Sequence, residues 1–340
     1  MTVSSYLESR PAVAFRVFDH VAIGALRNPI WLSLLVAIAF FAARSPHFLS
    51  LFNISNILLQ AAFFGFLAIG LTLVIVSGHI DLSVGSLVGL TAGLGVVLQP
   101  TLGLPLSVLA ALSAGAAVGV FNGVLVERLG INSLIVTLAA MIGLKGLTFA
   151  IVGEESIIAE STAFSQLGSF RIGSIHLITI TFFVLLIVAN WVLTTTRHGR
   201  EAYAIGGNRT AAVNAGIRVR RHVIINFAVS GFLAGLCGLA ISANMGAAVP
   251  TYGDGYEGWA IAAVALGGAK LTGGSGNVVN SLGGVLLLAV LRNGLNLAHL
   301  SAHYVLVAIG VALLVALLLE KRSGAPIILP NLITKHRRRA

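Results

Sequence analysis

The sequence is poor in charged residues and has a single cysteine. Asp, Glu, Lys and Arg make up 9% of its 340 residues, against roughly 25% in soluble domains. By contrast, 57% of the residues are hydrophobic, and the mean hydropathy is +0.98. The lone Cys237 excludes an intrachain disulfide framework, and its thiol is expected to pack in the interior. These deficits exclude a soluble or disulfide-stabilised domain and predict an all-α, polytopic membrane protein.

Motifs of the common enzyme and nucleotide-binding classes are also missing. The sequence contains no GxxxxGK[ST], no HExxH and no GxSxG, so any ATP or Mg chemistry must belong to another polypeptide. His79 with Asp81 is too small a set for a metal site. The net charge of +10 comes from arginines near the N-terminus, in one central stretch and in the tail KHRRR. That distribution is typical of cytoplasmic membrane loops rather than of nucleic-acid binding. We therefore expect no enzyme activity, no cofactor in this chain and no nucleic-acid partner.

The central stretch at 197–222, called the basic segment below, is the main polar region of the interior sequence. It carries six arginines against one acid, Glu201. Arginines near the ends of spans resist translocation, so the basic segment is expected in the cytosol. Its alternation of small and polar residues predicts a short surface helix ended by the pair Gly206 and Gly207. A partner protein could dock there.

Apolar runs of roughly 20 residues predict the membrane spans. Ten candidates are found, at 30–43, 58–77, 82–98, 104–126, 131–152, 175–195, 223–243, 258–272, 279–298 and 303–319. Six spans precede the basic segment and four follow it. Both numbers are even, so both termini are expected in the cytoplasm with the basic segment. The predicted organisation is a cytoplasmic segment at 1–29, a single transmembrane domain at 30–319 and a cytoplasmic basic tail at 320–340.

Glycines recur at intervals of four residues in three of the predicted spans. The residues are Gly85, Gly89 and Gly93, then Gly115, Gly119 and Gly123, then Gly231 and Gly235. Small residues at this spacing allow membrane helices to approach closely. We interpret these stripes as packing within the chain, with a dimer face or a substrate passage as the less favoured alternative.

Two polar, glycine-containing stretches interrupt the apolar runs. The first, VSGHIDLSVGSLVGL, places His79 and Asp81 at or inside the membrane, where such residues are usually functional. It predicts either a turn with Asp81 or Ser83 capping the next helix or a broken helix that lines a cavity, and periodicity alone favours the cap. The second, LGGAKLTGGSGNVVN, predicts a helix break or re-entrant turn. A faint similarity between 68–86 and 260–278 adds little on its own.

Several blocks resemble the permease subunits of ribose-type ABC sugar importers. SGHIDLSVGSLVGL resembles the GGIDLSVG signature of that family, and FNGVLVERLGINSLIVTLAAMIGLKGL resembles its FNG…LGIN block. RHGREAYAIGGNRTAAVNAGI resembles its cytoplasmic coupling segment, and the stretch from GDGYEGWAIAAVALGG to NGLNL resembles its C-terminal block. The chain departs from the family pattern at His79, Ser133 and the pair Gly258 and Trp259, which leaves the sugar open.

The resemblance implies a multi-pass permease of a bacterial inner membrane that translocates a monosaccharide or small polyol. Its partners would be a cytoplasmic ATPase that holds ATP and Mg, a periplasmic sugar-binding protein, a second copy or related permease, and membrane lipid. ATPase coupling is assigned to Gly199, Arg200, Glu201, Ala204, Gly206, Asn208, Ala211, Ala212 and Gly216. Candidates for the translocation path are Gly78, His79, Asp81, Ser83, Asn122, Lys145 and Asn293.

Two alternatives come from other functional classes. An ion-coupled secondary transporter would use Asp81, His79 and Lys145 as a proton or sodium pathway. An integral membrane enzyme would have only His79 and Asp81 to work with.

Overall fold

The computed structural model describes residues 28–298 and six helical residues beyond them, Tyr304, Leu306, Val307, Gly310, Val311 and Leu314. The predictions for residues 1–27, for most of the tenth span at 303–319 and for the tail at 320–340 lie outside the described residues.

The described part is built almost entirely of helices. In chain order they are α1 (Pro29–Arg44), α2 (Leu51–Val76), α3 (Val84–Val97), α4 (Gln99–Leu129), α5 (Ser133–Val152), α6 (Thr162–Ser169), α7 (Leu177–Thr195), α8 (Arg197–Gly207), α9 (Arg209–Asn214), α10 (Val219–Met245), α11 (Tyr256–Leu266) and α12 (Val278–Leu297). Two antiparallel pairs of two-residue strands lie in the loops: β1 (Ile157–Ile158) with β4 (Ala247–Ala248), and β2 (Arg171–Ile172) with β3 (Ile175–His176).

Six of these helices, α2, α4, α5, α7, α10 and α12, are long and apolar enough to cross a membrane. Helices α1, α3 and α11 are apolar but shorter. The prediction of an all-α membrane bundle is therefore confirmed. The number of ten spans and the cytoplasmic location of the termini stay predictions.

Helix α2 is the centre of the bundle. Its most apolar stretch is 94% buried, and α10, α12, α11 and α7 pack around it. The surrounding helices expose large apolar side chains, for example Leu109 of α4 and Ile142 of α5. Such exposed residues are expected on helices that face lipid, so the inside-to-outside gradient matches a membrane bundle rather than a soluble core.

The glycines of α4 allow a close contact with α10. Gly123 faces the backbone of Ile224, and Gly119 faces the carbonyl of Phe227. A Cβ atom at Gly119 would lie 2.9 Å from the Cα atom of Ala228, closer than real Cβ contacts. The interpretation of this stripe as packing within the chain is confirmed.

Helix α2 ends in a glycine turn at the first polar stretch. Gly78 has a φ of +86°, a left-handed conformation that glycine adopts without a steric penalty. Its N–H donates to the carbonyl of Ile75 (2.9 Å), and the N–H of His79 donates to the carbonyl of Val74 (3.2 Å). Residues 77–83, called the first break below, then lead into α3.

Helix α11 ends in a turn of the same geometry. Gly268 has a φ of +84°, its N–H donates to the carbonyl of Ala265 (2.8 Å), and the N–H of Ala269 donates to the carbonyl of Val264 (3.2 Å). The predicted break in this stretch is confirmed, and residues 267–277 are called the second break below. The predicted end of the span at residue 272 is wrong, because the helix ends at Leu266. The faint similarity noticed in the sequence thus corresponds to two matching helix ends.

Candidate coupling and translocation site

The two breaks and helix α8 meet at one end of the bundle, called the basic end below. The N–H of Gly274 in the second break donates to the carbonyl of Val76 at the end of α2 (2.9 Å). Gly206 of α8 lies directly against the same carbonyl, and a Cβ atom on it would lie 2.5 Å from the amide nitrogen of Gly274. A Cβ atom on Gly273 would lie 2.6 Å from the Cα atom of Gly78. The three segments therefore touch through backbone atoms, and no flexible side chain lies between them there.

Local hydrogen bonds explain why the basic segment forms two short helices. The hydroxyl of Thr196 accepts from the N–H of Gly199 (3.3 Å) and caps the start of α8, while the side chain of Asn208 accepts from the N–H of Ala211 (2.9 Å) and caps α9. The hydroxyl of Tyr203 donates to the carbonyl of Gly276 (2.7 Å) and holds α8 on the second break. The predicted surface helix ended by the two glycines is confirmed.

The residues assigned to ATPase coupling divide between an exposed and a buried face of this segment. The exposed ones are Arg200, Ala204, Asn208, Ala211 and Gly216. Gly199 and Ala212 are buried, and Gly206 and Glu201 are half-buried. The exposed set forms a surface that a partner could contact, while the buried set joins that surface to the bundle. Their role in coupling stays a prediction.

A buried carboxylate connects the basic segment to the first break. The side chain of Glu127, on α4, is 1% exposed, and both its oxygens accept from the guanidinium of Arg209 on α9 (2.7 and 2.9 Å). Nε2 of His79 lies 3.4 Å from one of these oxygens. Paired, fork-shaped hydrogen bonds between Arg and a carboxylate are strong and directional. Arg209 and His79 are thus held on one carboxylate.

A second connection is a series of side-chain contacts through two histidines. Glu201 of α8 contacts His222 of α10, and Nδ1 of His222 lies 2.9 Å from Nδ1 of His198. Nε2 of His198 lies 2.8 Å from the side-chain oxygen of Asn226, whose amide group donates to the hydroxyl of Ser77 (3.2 Å). The series runs from the surface of the basic segment to the first residue of the first break.

The charge of Glu201 is stabilised by its neighbours. Arg197 donates to it (2.6 Å), and this hydrogen bond holds the pKa of the Glu201 carboxyl below its usual range. The carboxyl is consequently ionised at neutral pH and can accept a hydrogen bond from the imidazole of His222.

Asp81 lies in a closed polar cluster within the first break. It is 1% exposed and accepts from the N–H (3.0 Å) and the hydroxyl (2.6 Å) of Ser83 and from the hydroxyl of Ser230 (3.2 Å). The amide group of Asn122 donates to the hydroxyl of Ser83 (2.9 Å), but the side-chain oxygen of Asn122 is buried with no partner among the described residues. Ser83 occupies the capping position of α3 without a side-chain capping bond. Asp81 binds the N–H of Ser83 instead, one residue before the helix begins.

Two other candidates for the translocation path lie away from the breaks. Lys145, in the half of α5 away from the first break, donates to Asp254 (2.8 Å), and both side chains are partly exposed. Asn293 of α12 exchanges hydrogen bonds of 2.8 and 2.9 Å with Asn53 in the first turn of α2. The structure thus brings together Gly78, His79, Asp81, Ser83 and Asn122, but not Lys145 or Asn293.

Sequence reasoning missed several residues of this site, namely Glu127, His198, His222, Asn226 and Ser230. Asn226 and Ser230 had a usable signal, because they are polar residues four apart inside an apolar run and such residues are expensive in a membrane. Glu127, His198 and His222 gave no such signal, because their contact partners are brought close only by the fold. Within the described residues, no group of three His, Cys, Asp or Glu side chains could hold a metal ion.

Comparison with known proteins identifies the family. A family model described as the permease component of branched-chain amino acid transport systems matches residues 53–317. The chain belongs to this permease family. No solved structure matches the chain.

The matches to individual relatives extend over most of this chain and most of each relative. The ribose import permease protein of Escherichia coli K12 is 40% identical over 86% of this chain and 92% of its own length. The D-allose transport system permease protein of the same strain is 32% identical (85% and 89%), and its xylose transport system permease protein is 31% identical (81% and 86%). The resemblance to ribose-type permeases is confirmed, as is the prediction of a transport subunit rather than an enzyme. The ion-coupled alternative is not supported, and its three residues Asp81, His79 and Lys145 have separate partners.

Proposed function

We propose that this permease is the membrane-spanning subunit of an ABC importer that carries a monosaccharide or related small polyol across a bacterial inner membrane. The relatives named above are named for ribose, allose and xylose and each covers more than 80% of this chain. The family description refers to branched-chain amino acids, but the relatives named for sugars match 81–86% of this chain and 86–92% of their own length. A sugar is therefore the favoured cargo.

The observation that carries this proposal is the attachment of the basic segment to the first break. The Arg209 and Glu127 ion pair with His79 and the series from Glu201 to Ser77 join these two regions, and Gly206 contacts Val76 just before the first break. A force applied to the exposed surface of α8 and α9 would therefore reach the end of α2 through short, directional contacts. A separate ATPase that docks on this surface would supply that force.

In the proposed mechanism, ATP-driven movement of the basic segment shifts the two breaks together. Hydrogen bonds around Asp81 then open, and the freed polar groups become available along the path together with the oxygen of Asn122, which has no partner among the described residues. Irregular backbone at such a site is tolerated in a membrane where it borders a cavity or is covered by protein. A sugar-binding protein on the far side would provide most of the affinity, and a second permease copy or a related permease would complete the path.

Uptake measurements in the native cells test this proposal. We expect uptake of labelled ribose, xylose or allose to require the chain, to persist with a proton-conducting ionophore while ATP is kept up, and to stop when ATP is depleted. A tagged chain should co-purify with an ATPase that has nucleotide-binding motifs. Arg200→Glu should reduce that co-purification by about tenfold or more, because it reverses a charge on the exposed surface. Uptake that collapses with the ionophore and ignores ATP would overturn the proposal.

A further inference from the structure

A second feature of the basic end is an arginine-lined crevice between α4 and α10. Its volume is about 510 Å³, and it is lined by Arg128, Arg220, Arg221, Ile224 and Ile225. Arg128 comes from the last turn of α4, and the other four residues come from the first two turns of α10. The contact of Gly123 with the backbone of Ile224 brings these ends close together, so the crevice follows from the packing of α4 on α10.

The crevice has a strong and unbalanced positive charge. Arg220 and Arg221 lie in the first turn of α10, where the helix dipole is itself positive and disfavours cations. Within the described residues, none of the three arginines forms an ion pair. The two nearby acids are both engaged elsewhere: Glu127 is buried and bound by Arg209 and His79, and Glu201, in the neighbouring pocket that Arg221 also lines, is bound by Arg197 and His222. An anion in the crevice would relieve repulsion among the guanidinium groups and also interact favourably with the helix end.

The surface next to these charges is apolar. Ile225 is 37% exposed, and Phe121 is 61% exposed. Phe121 lies two helical turns before Arg128, so both occupy the same side of α4. A charged site with the exposed Ile225 in its wall, and the exposed Phe121 two turns along α4 on the Arg128 side, suits a molecule with an anionic head and a hydrocarbon tail.

We propose that this crevice binds the headgroup phosphate of an anionic phospholipid, with an acyl chain lying along Ile225 and Phe121. A guanidinium group can donate two parallel hydrogen bonds to the oxygens of one phosphate, and basic pockets between membrane helices suit such headgroups. The chemistry recognised at the charged part is a phosphate anion. The apolar part selects a lipid over free phosphate. An acidic side chain of a partner protein could fill the charged part but would leave the apolar surface uncovered.

The test uses the purified complex of the chain with whatever subunits stay bound, stripped of lipid in detergent. Native mass spectrometry then counts bound phosphatidylglycerol or phosphatidylcholine, and thermal unfolding is followed with each lipid and with inorganic phosphate. Wild-type complex should keep phosphatidylglycerol preferentially and be stabilised by it, but not by phosphate. Arg128→Gln with Arg220→Gln should weaken phosphatidylglycerol binding roughly thirtyfold.

The matched control removes two arginines elsewhere, Arg44→Gln with Arg171→Gln, and should bind phosphatidylglycerol like the wild type. The single variants R128Q and R220Q should each lose part of the binding, which keeps the test decisive if the double variant is unstable. The proposal is overturned if both double variants bind equally, if phosphate stabilises as well as the lipid, or if the lipid binds only after partner subunits are removed. The last two outcomes would indicate a free-anion site and a protein-docking site, respectively.

Discussion

At the scale of single residues, the unusual feature is an ion pair between a buried carboxylate, Glu127, and a half-exposed arginine, Arg209. The Glu127 side chain is 1% exposed, whereas that of Arg209 is 51% exposed. Taking a carboxylate out of water is tolerable only with good hydrogen-bond geometry, which the fork of Arg209 supplies. Loss of Arg209 would therefore leave a buried carboxylate, whereas loss of Glu127 would leave a guanidinium that water can reach.

This asymmetry gives a prediction for a double-mutant cycle. Arg209→Gln should destabilise the protein by about 2–4 kcal/mol, because it leaves a buried charge with only His79 beside it. Glu127→Gln should be milder, at about 1 kcal/mol, since Arg209 can hydrate. The double variant should resemble Glu127→Gln alone, which is the signature of coupled residues. Denaturant titration in mixed micelles measures all three.

The control for this cycle is Arg197→Gln, which removes a guanidinium that is 81% exposed and pairs with Glu201. Exposed pairs contribute about 1 kcal/mol or less, so the loss should be small. An additive cycle, or Arg209→Gln no worse than the control, would show that the carboxylate of Glu127 does not depend on Arg209.

At the scale of helices, the contact of α8 with the end of α2 and with the second break requires a residue without a side chain at position 206. Gly206→Ala would press a methyl group into the carbonyl of Val76 and the amide of Gly274, backbone atoms that cannot rotate away. We expect uptake to fall by about tenfold or more while the protein still reaches the membrane, since overpacking of this kind costs about 1–3 kcal/mol and displaces α8.

The neighbouring residue supplies the control for that variant. A Cβ atom on Gly207 would meet nothing within 4 Å, so Gly207→Ala should keep uptake within about twofold of wild type. Uptake assays normalised to the amount of chain in the membrane distinguish the two variants. An equal loss of uptake in both variants would mean that α8 does not tolerate alanine here for reasons unrelated to the contact with Val76 and Gly274.

The sequence predicts the helices better than it predicts their contacts. Helices α1, α3, α5, α7 and α12 lie within two residues of the predicted spans at each end, because apolar length is a local property. The predicted span at 258–272 ran six residues too far, because the glycines and the lysine that end it lie among further small and apolar residues. No pattern indicates that α2 is the central helix, since α2 and the lipid-facing α7 are equally hydrophobic.

The candidate site divides in the same way. Asp81 and His79 stood out as polar residues among apolar ones, and the basic segment stood out by its arginines. Glu127 sits in an otherwise ordinary stretch at the end of α4, VERLG, and its role depends on Arg209 at a separation of 82 residues. Local patterns cannot report such pairings, which arise only when α4, α9 and the first break come together.

At the scale of the whole molecule, the two ends differ in charge. The basic end carries the arginines of 197–222, whereas the segments at 153–174 and 244–257 hold Glu154, Glu155, Glu160, Asp254 and Glu257 against a single basic residue, Arg171. A membrane potential and the insertion machinery both favour the arginine-rich end in the cytoplasm. The same orientation is required if an ATPase is to reach α8 and α9.

Cysteine labelling tests this orientation directly. Asn214→Cys places a thiol on the exposed end of α9, and Glu155→Cys places one in the exposed loop before β1. We expect a membrane-impermeant maleimide to label Glu155→Cys in cells whose inner membrane is intact and to label Asn214→Cys only after that membrane is opened. The native Cys237 is fully buried, so the unmodified chain should stay unlabelled and serves as the background. Labelling of Asn214→Cys in intact cells would place the basic segment outside, where no ATP-hydrolysing partner could act on it, and the coupling mechanism would fail with the orientation.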